Sequence, residues 1–194
     1  MPSARSPLAE VLADLGRAFT ALGVRWYLFG AQAAILYGAA RLSADVDVTV
    51  ALGERRVADL VAAIDAAGFE ARVPAPAAFA ETSRVLPVVH RATRMPADVI
   101  LAGPGLEERF LAQAETRAIG DVMVPVASPP DLVVMKVLAG RPQDLEDVIA
   151  VLRAQGDSLD AGRARATLGE LERALDRRDL VGTLDRALAQ ARRV

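Results

Sequence analysis

The sequence contains no cysteine and a single histidine, His90. Without cysteine there is no disulfide framework, no thiolate zinc site and no thiol nucleophile, and one histidine cannot build a metal site of several histidines. Aromatic residues make up only 4% of the chain and show no spacing typical of a platform for stacking bases. The lack of cysteine is compatible with a reducing cytoplasm, where we expect the protein to act.

An excess of charge of one sign and a long hydrophobic run are also missing. The 23 basic and 25 acidic residues give a net charge of -2, which excludes a strongly basic, sequence-nonspecific nucleic-acid binder. The longest nearly apolar stretch, residues 26–40, is broken by Gln32 and has 15 positions, whereas a membrane span needs about 18–20. Because the N-terminus also has no apolar signal region, we expect a soluble protein without a membrane partner.

The chain does contain enough apolar residues for a core, since hydrophobic types make up 53% of its 194 positions. Hydrophobic periodicity predicts both helices and strands in the first two-thirds and only helices afterwards. The predicted helices cover 8–22, 30–38, 54–67 and 105–114, and the predicted strands 24–29, 45–52, 69–73, 84–90, 97–101 and parts of 116–127. Residues 74–80 are predicted as a loop or a helical turn. This order predicts an α+β core over residues 1–127, with a C-terminal helical region over 128–194 packed on it.

Two carboxylates lie two residues apart in the predicted strand 45–52 (DVDVTVAL). Residues i and i+2 of a strand share a face, so Asp45 and Asp47 point the same way, while Val46 and Val48 face a core. Adjacent carboxylates repel each other, and a hard divalent cation such as Mg²⁺, which prefers oxygen ligands, relieves that repulsion. Taken alone, the pattern is more typical of a solvated strand face than of a metal site.

The residues upstream extend this pattern. Phe29-Gly30-Ala31 ends a hydrophobic strand, a short helix follows, and thirteen residues separate Ala31 from Asp45. This arrangement resembles the signature of the nucleotidyltransferase superfamily of DNA polymerase β, in which a hydrophobic residue, Gly and then Gly or Ser precede an Asp-x-Asp strand. Ala31 departs from the signature, because it lacks the serine hydroxyl but keeps the backbone N–H.

The resemblance implies a nucleotidyltransferase fold, a small mixed sheet flanked by helices, that binds Mg²⁺ and a nucleoside triphosphate (NTP). In that family the glycine-rich turn, here Gly30 and Ala31, cradles phosphate oxygens, and the paired aspartates, here Asp45 and Asp47, bind Mg²⁺. A third carboxylate on a neighbouring strand contacts the metal and accepts the proton of the attacking hydroxyl. Asp98 is the candidate, and a plain strand-start aspartate at a turn is the alternative.

A second block of residues, 126–147, contains the only lysine of the chain, Lys136, followed by Arg141-Pro-Gln-Asp144-Leu-Glu-Asp147. It looks like the AbiEii-type nucleotidyltransferases, toxins of type IV and related toxin–antitoxin pairs. The resemblance implies that the compact Lys136 ammonium pairs with NTP phosphates and that Asp144 contributes to the active site. The alternative for Lys136 is a stem packed along an amphipathic helix, and Asp147 is expected to cap the helix or to pair with Arg141.

Arg41 and Ser43 precede the aspartate pair and match the Arg-x-Thr or Arg-x-Ser that this family often has. Both residues therefore join the predicted nucleotide site. Two roles for Arg41 stay open, phosphate binding and pairing with an aspartate. His90 lies in an apolar strand, which favours a structural histidine whose hydrogen bonds are satisfied.

The resemblance implies an enzyme that transfers a nucleoside monophosphate (NMP) from an NTP to an acceptor hydroxyl with Mg²⁺. By likeness to the toxins, we expect an RNA acceptor, such as a tRNA 3′ end, and a cognate antitoxin protein as partner. Three alternatives stay open at this point. The first is nucleotidylation of a protein or of a small molecule such as an aminoglycoside, and the second is a non-catalytic NTP-binding antitoxin or regulatory protein. The third and weakest is a plain α+β scaffold protein that carries the motifs by chance.

Overall fold

A seven-stranded mixed sheet is formed by the strands of the computed structural model, which describes residues 5–193. In spatial order, β3-β4-β5-β2-β1-β7-β6, the neighbours β2–β5 and β1–β7 are parallel and the other pairs are antiparallel. The strands are β1 (Arg25–Phe29), β2 (Val46–Ala51), β3 (Phe69–Ala71), β4 (Val85–His90), β5 (Pro96–Leu101), β6 (Glu115–Ile119) and β7 (Val122–Val126).

Two compact units divide the described chain, and neither is continuous in sequence. The first unit contains the sheet and consists of the described residues up to Phe29 together with Ser43–Ala127. The second unit consists of Gly30–Leu42 and the chain from Ser128 onward. The sequence-based division into a core over 1–127 and a helical region over 128–194 stays a prediction.

Helices of both units account for most of the remaining described residues. Those of the first unit are α1 (Pro7–Leu22), α3 (Val57–Ala66), α4 (Pro76–Ser83) and α5 (Leu106–Gln113). Those of the second are α2 (Gly30–Leu36), α6 (Pro129–Ala139), α7 (Pro142–Gln155), α8 (Ala161–Leu175) and α9 (Leu180–Ala191). No helix among residues 5–193 is long and apolar enough to span a membrane.

The predicted α+β pattern is confirmed in element type and order. One segment differs, because residues 74–80, predicted as a loop or a helical turn, contribute to the eight-residue helix α4. Pro76 occupies the first turn of α4, where the missing N–H of proline costs no hydrogen bond. The helix ends at Ser83, and its C-cap residue, Arg84, adopts the left-handed conformation with φ +63°.

Alternation along the central strands sets up a polar row of side chains. On β2, Val46, Val48 and Val50 are fully buried, while Asp47 between them is half-buried. On β5, Ala97 and Val99 are buried, and Asp98 between them is half-buried. Since successive strand residues point to opposite faces, the sheet turns these aspartates away from the apolar face formed by the valines.

Candidate active site

Asp47 and Asp98 are register partners on the adjacent parallel strands β2 and β5. Because paired residues of neighbouring strands point to the same face, the two carboxylates lie side by side on one face of the sheet. The row continues to Phe29, which pairs with Asp47, and to Pro87, which pairs with Asp98. Asp47 and Asp98, two predicted site residues from separate parts of the sequence, are thus neighbours in the first unit.

Asp45 precedes β2 by one residue and carries an exposed side chain. Its Oδ1 accepts a hydrogen bond from the hydroxyl of Ser43, so these two predicted site residues contact each other just before β2. A basic partner is found at Asp98, whose Oδ1 accepts a hydrogen bond of 2.5 Å from Nη2 of Arg72. We call Asp45, Asp47 and Asp98 the carboxylate cluster. Arg72 is a basic neighbour of this cluster that no sequence motif predicts.

The three aspartates offer the donor chemistry that Mg²⁺ requires. They supply only carboxylate oxygens, the ligands that hard divalent cations prefer, and Asp47 and Asp98 share one face through their register. Within residues 5–193, no three His, Cys, Asp or Glu side chains already converge as a metal site. In the described conformation Asp45 is bonded to Ser43 and Asp98 to Arg72, so side-chain rearrangement would accompany metal binding.

Gly30 begins helix α2 directly after β1. Its φ of +68° lies in the left-handed region, which residues with a Cβ rarely adopt, so the turn from strand to helix at this point favours glycine. Ala31 follows as a buried residue of the helix. The backbone conformation therefore explains the glycine of the sequence signature. The predicted role of Gly30 and Ala31 in phosphate binding stays a prediction.

A buried ionic cluster in the second unit contains Lys136. The Nζ of Lys136 lies 3.0 Å from Oδ1 of Asp144 and 2.7 Å from Oδ2 of Asp147, and the Lys136 side chain is only 6% exposed. Arg141 Nε donates to Asp144 Oδ2 at 2.6 Å, and Arg41 Nη1 donates to Asp147 Oδ2 at 2.9 Å. Lys136 thus joins α6 to α7 through two carboxylates.

Two pairings in this cluster involve residues for which the sequence left more than one role open. Arg41 pairs with an aspartate, Asp147, while its predicted contact with phosphate stays a prediction. Arg141 pairs with Asp144, and the expected capping by Asp147 or pairing of Asp147 with Arg141 stays a prediction. Arg141 is the N-cap residue of α7 and Asp144 lies three positions later, which is the spacing at which side chains meet in a first helical turn.

The balance of burial and hydrogen bonding sets the charge state of Asp144. Burial alone raises the pKa of Asp144, but hydrogen bonds from Arg141 and Lys136 and their positive charges outweigh it. The pKa of Asp144 therefore lies below its ordinary value of 3.8. The carboxylate stays ionised at neutral pH and serves as a fixed negative partner for Lys136.

His90 is a structural histidine, as its apolar surroundings predict. It is 2% exposed, its Nε2 lies 3.0 Å from Asp14 Oδ2 and its Nδ1 lies 3.0 Å from Thr93 Oγ1. The backbone N–H of Thr93 also points to Nδ1, at 3.4 Å. Both ring nitrogens are therefore satisfied, and the ring ties the end of β4 to α1.

No protein-family model and no curated protein sequence matches the chain. Solved structures do match it, among them the crystal structure of ANT(2'')-Ia in complex with adenylyl-2''-tobramycin, with a TM-score of 0.59 at 14% identity over 88% of this chain and 99% of that chain. The solution structure of the antibiotic-resistance factor ANT(2'')-Ia matches with a TM-score of 0.57 at 13% identity, over 87% of this chain and 95% of that chain. An antigenic nucleotidyltransferase-like protein from Paracoccidioides brasiliensis matches with a TM-score of 0.56 at 16% identity, over 93% and 94%. The chain has the nucleotidyltransferase fold.

The nucleotidyltransferase fold implied by the Gly30 turn and the aspartate pair is thereby confirmed. Within this nucleotidyltransferase fold, Arg72 is the residue of the carboxylate cluster that sequence reasoning missed. It lies 26 positions from Asp98 and belongs to no motif. Its contact arises from the pairing of β3, β4 and β5, which the linear sequence does not display.

Proposed function

We propose that the protein is a Mg²⁺-dependent nucleotidyltransferase that transfers NMP from an NTP to an acceptor hydroxyl. The observation that carries this proposal is the register of Asp47 with Asp98, with Asp45 two residues before Asp47. Two carboxylates on one face of the sheet, with a third two residues before Asp47 in the chain, carry a negative charge that a divalent cation offsets. The shared fold with nucleotidyltransferases of solved structure supports the same reaction class.

The proposed chemistry assigns distinct tasks to the three aspartates. Asp45 and Asp47, with a contribution from Asp98, hold Mg²⁺, which when bound offsets the negative charge of the triphosphate and orients it. Asp98 accepts the proton of the acceptor hydroxyl. The acceptor oxygen then forms a bond to the α-phosphorus while the bond from that phosphorus to the bridging oxygen breaks, and pyrophosphate leaves.

Further residues are included in the proposed site because the sequence resemblance implies a role for them. The backbone N–H groups of Gly30 and Ala31 are proposed to contact phosphate oxygens, as are the side chains of Arg41 and Ser43. Lys136 and Asp144 are the last two residues of the proposed active site. The hydrogen bond between Lys136 and Asp144 favours a supporting role for both, and the stability of a Lys136→Met variant separates this role from a direct phosphate contact.

We propose RNA as the acceptor and a toxin-like role with a cognate antitoxin, on the resemblance of residues 126–147 to AbiEii-type enzymes. A second acceptor class, a hydroxyl of an aminoglycoside-like molecule, is favoured by a specific observation. The solved ANT(2'')-Ia structure with a TM-score of 0.59 to this chain is a complex with adenylyl-2''-tobramycin. In that compound an adenylyl group is attached to an aminoglycoside, so the shared fold supports transfer to small molecules too.

The test is a transfer assay with each of the four α-labelled NTPs and Mg²⁺. Parallel reactions contain total cellular RNA, total cellular protein or tobramycin, each with and without EDTA. The Asp45→Ala/Asp47→Ala double variant removes the proposed metal ligands. Asp157→Ala is the matched control, because Asp157 is an exposed aspartate that follows α7 and lies outside the carboxylate cluster.

The acceptor that becomes labelled identifies the substrate class. We expect label in RNA with the wild type and Asp157→Ala, and none with the double variant or with EDTA. Label in tobramycin would favour the small-molecule acceptor, and label in protein would indicate protein nucleotidylation. If no acceptor is labelled and Mg²⁺–NTP still raises the melting temperature, the catalytic proposal is wrong and the non-catalytic NTP-binding alternative holds.

A further inference from the structure

Strand β6 is the last strand of the sheet, so within residues 5–193 one of its two edges has no neighbouring strand. Thr116, Arg117 and Ala118 are three consecutive exposed residues of this strand. An uncovered strand edge offers backbone N–H and C=O groups with which another strand can pair. Natural edges are often blunted by a proline, and β6 contains none.

The β6–β7 hairpin determines which backbone groups point to the outer edge. Ile119 and Val122 are register partners, and the two residues between them form a tight turn in which Gly120 has a φ of +62°. The pair that closes a two-residue turn is hydrogen-bonded, and pairs with and without hydrogen bonds alternate from there. Every second residue of β6 thus faces β7, beginning with Ile119, and the backbone groups of Thr116 and Ala118 face outward.

Two features of β7 agree with this alternation. Pro125, which has no N–H, lies opposite Thr116, where the alternation predicts a pair without backbone hydrogen bonds. Ala127, two residues further along, donates its N–H to the carbonyl of Leu28 on β1 at 2.9 Å. The odd-numbered residues of β7 therefore face β1 and the even-numbered residues face β6.

The charges on β6 select one register for pairing with a second copy of the chain. In antiparallel pairing about a two-fold axis, outward-facing residues pair with each other, so the axis can lie at position 115, 116 or 117. An axis at Glu115 or at Arg117 places that residue opposite its own copy, and like charges directly opposite are destabilising. An axis at Thr116 instead places each Glu115 opposite an Arg117. An axis at Ala118 would bring Gly120 into the seam, where a φ of +62° does not fit a strand.

We propose that β6 pairs with β6 of a second copy about a two-fold axis at Thr116, so that the sheet continues from one chain into the other. Thr116 pairs with its own copy, and Ala118 pairs with Ala114 of the second copy, each through backbone hydrogen bonds. Ala114 has an extended backbone, with φ −60° and ψ 136°, and so continues the strand. Glu115 and Arg117 lie in the pairs between, where opposing side chains come closest.

This arrangement uses a charge pair that already exists within the chain. Arg117 pairs with Glu115 on the same strand, and across the seam each of them meets the opposite charge again. Charged residues protect an edge from pairing when like charges meet, and in this register none do. The seam is short compared with a standard interface, so we expect a weak dimer that forms in a concentration-dependent way.

The first measurement is sedimentation velocity of the wild type and of charge variants over a range of protein concentrations. We expect Arg117→Glu to raise the Kd of the dimer by about tenfold or more, because it places carboxylates opposite each other. The double variant Glu115→Arg/Arg117→Glu exchanges the two charges and should restore the Kd to within about threefold of the wild type.

Arg165→Glu is the matched control for the charge variants. Arg165 pairs with Asp185 in the second unit, and these side chains are 46% and 44% exposed, against 47% and 41% for Arg117 and Glu115. The variant disrupts an equally exposed ion pair away from β6. It should therefore dimerise as the wild type does.

The second measurement reads the register with single cysteines, which is possible because the chain has none of its own. Thr116→Cys should form a disulfide between two chains on mild oxidation. The Cα atoms of a hydrogen-bonded antiparallel pair are about 5.5 Å apart, within the range that a disulfide spans. Glu115→Cys and Arg117→Cys should crosslink far more slowly, since neither residue faces its own copy. Faster crosslinking at 115 or 117 than at 116 would contradict the register.

The third measurement tests the backbone seam without changing a charge. The N–H of Thr116 points outward, so Thr116→Pro removes no hydrogen bond within the hairpin but takes away the donors at the centre of the seam. We expect this variant to be a monomer with the circular dichroism spectrum of the wild type.

Each measurement can overturn the inference. A wild type that stays monomeric up to about 1 mM does so, and so does a dimer that survives Thr116→Pro or Arg117→Glu unchanged. Failure of the double variant to restore the dimer has the same consequence. No nucleotide takes part in these measurements, so the proposed function is decided separately by the transfer assay.

Discussion

Lys136 Nζ lies 2.7 Å from Asp147 Oδ2, inside a cluster where the two side chains are only 6% and 5% exposed. Asp144, at 3% exposure, is the second carboxylate that pairs with the same ammonium, at 3.0 Å. Replacing Lys136 by methionine would leave two buried carboxylates without their shared cation. We expect Lys136→Met to lower the free energy of unfolding by about 3–5 kcal/mol, as measured by urea denaturation.

Arg141→Met is the control for that prediction. Arg141 pairs with the same Asp144, but its side chain is 76% exposed, so its removal should cost less than about 1 kcal/mol. A Lys136→Met protein that loses activity while keeping its stability within about 1 kcal/mol of the wild type would contradict the supporting role. It would favour the direct phosphate contact predicted from the sequence.

The depressed pKa of Asp144 makes part of the stability pH-dependent. A carboxylate whose folded pKa is below its unfolded value stabilises the fold above the unfolded pKa, near 3.8, and loses that contribution as pH falls through the folded pKa. We expect wild type and Asp144→Asn to differ most in free energy of unfolding at neutral pH. The difference should shrink below pH 3.8. Urea unfolding of both proteins across this range checks the sign, and a difference that grows on acidification would contradict it.

Gly38 leaves no room for a side chain. A Cβ at this position would overlap the Cβ of Ala154 on α7, and its φ of +109° is unfavourable for residues with a Cβ. We expect Gly38→Ala to lower the free energy of unfolding by about 3 kcal/mol. Gly53→Ala is the matched control, because Gly53 has a φ of +58° but no atom within 4 Å of the point where a Cβ would lie, and should cost about 1 kcal/mol. Equal losses in the two variants would show that backbone conformation alone is responsible.

Metal binding should be visible as stabilisation. A ligand that binds only the folded state stabilises it by about 2.7 kcal/mol at 100 times its Kd, so Mg²⁺ with NTP should raise the melting temperature of the wild type. In Asp47→Asn one charge of the carboxylate cluster is lost, and most of this increase should vanish. An undiminished increase in Asp47→Asn would mean that the nucleotide binds without the β2 aspartates.

The strands and the carboxylate face could be predicted from the sequence because they follow from local periodicity. Alternation along β2 placed Asp45 and Asp47 opposite the buried valines, and the structure has Asp47 half-buried between Val46 and Val48. The proximity of Asp98 to Asp47 needed the family resemblance in addition. Pairing of β2 with β5 joins strands that are separated by α3, β3, α4 and β4, and no local pattern encodes that choice.

The contacts of the charged side chains could not be predicted, because they depend on tertiary packing. The contact of Lys136 with phosphate stays a prediction, and the structure adds two carboxylates of α7, Asp144 and Asp147, that pair with its ammonium and that the sequence did not assign to it. Arg72 and Asp98 are 26 positions apart and meet only because β3, β4 and β5 are adjacent. The sequence shows which charged residues are present and how far apart they lie along the chain, whereas tertiary packing decides which of them pair.

The discontinuous second unit has a consequence for the order of folding. Its segment Gly30–Leu42 meets the C-terminal helices through contacts of very long sequence separation, such as the hydrogen bond from Gln155 to the carbonyl of Tyr37, 118 positions apart, and the Arg41–Asp147 pair, 106 apart. Closing such a loop costs chain entropy before any contact compensates for it. The short connection between β4 and β5 costs far less and is expected to form first. During synthesis on the ribosome, residues 30–42 therefore cannot form these contacts until α7 has emerged. A chain released before that point lacks the partners of Arg41 and Tyr37.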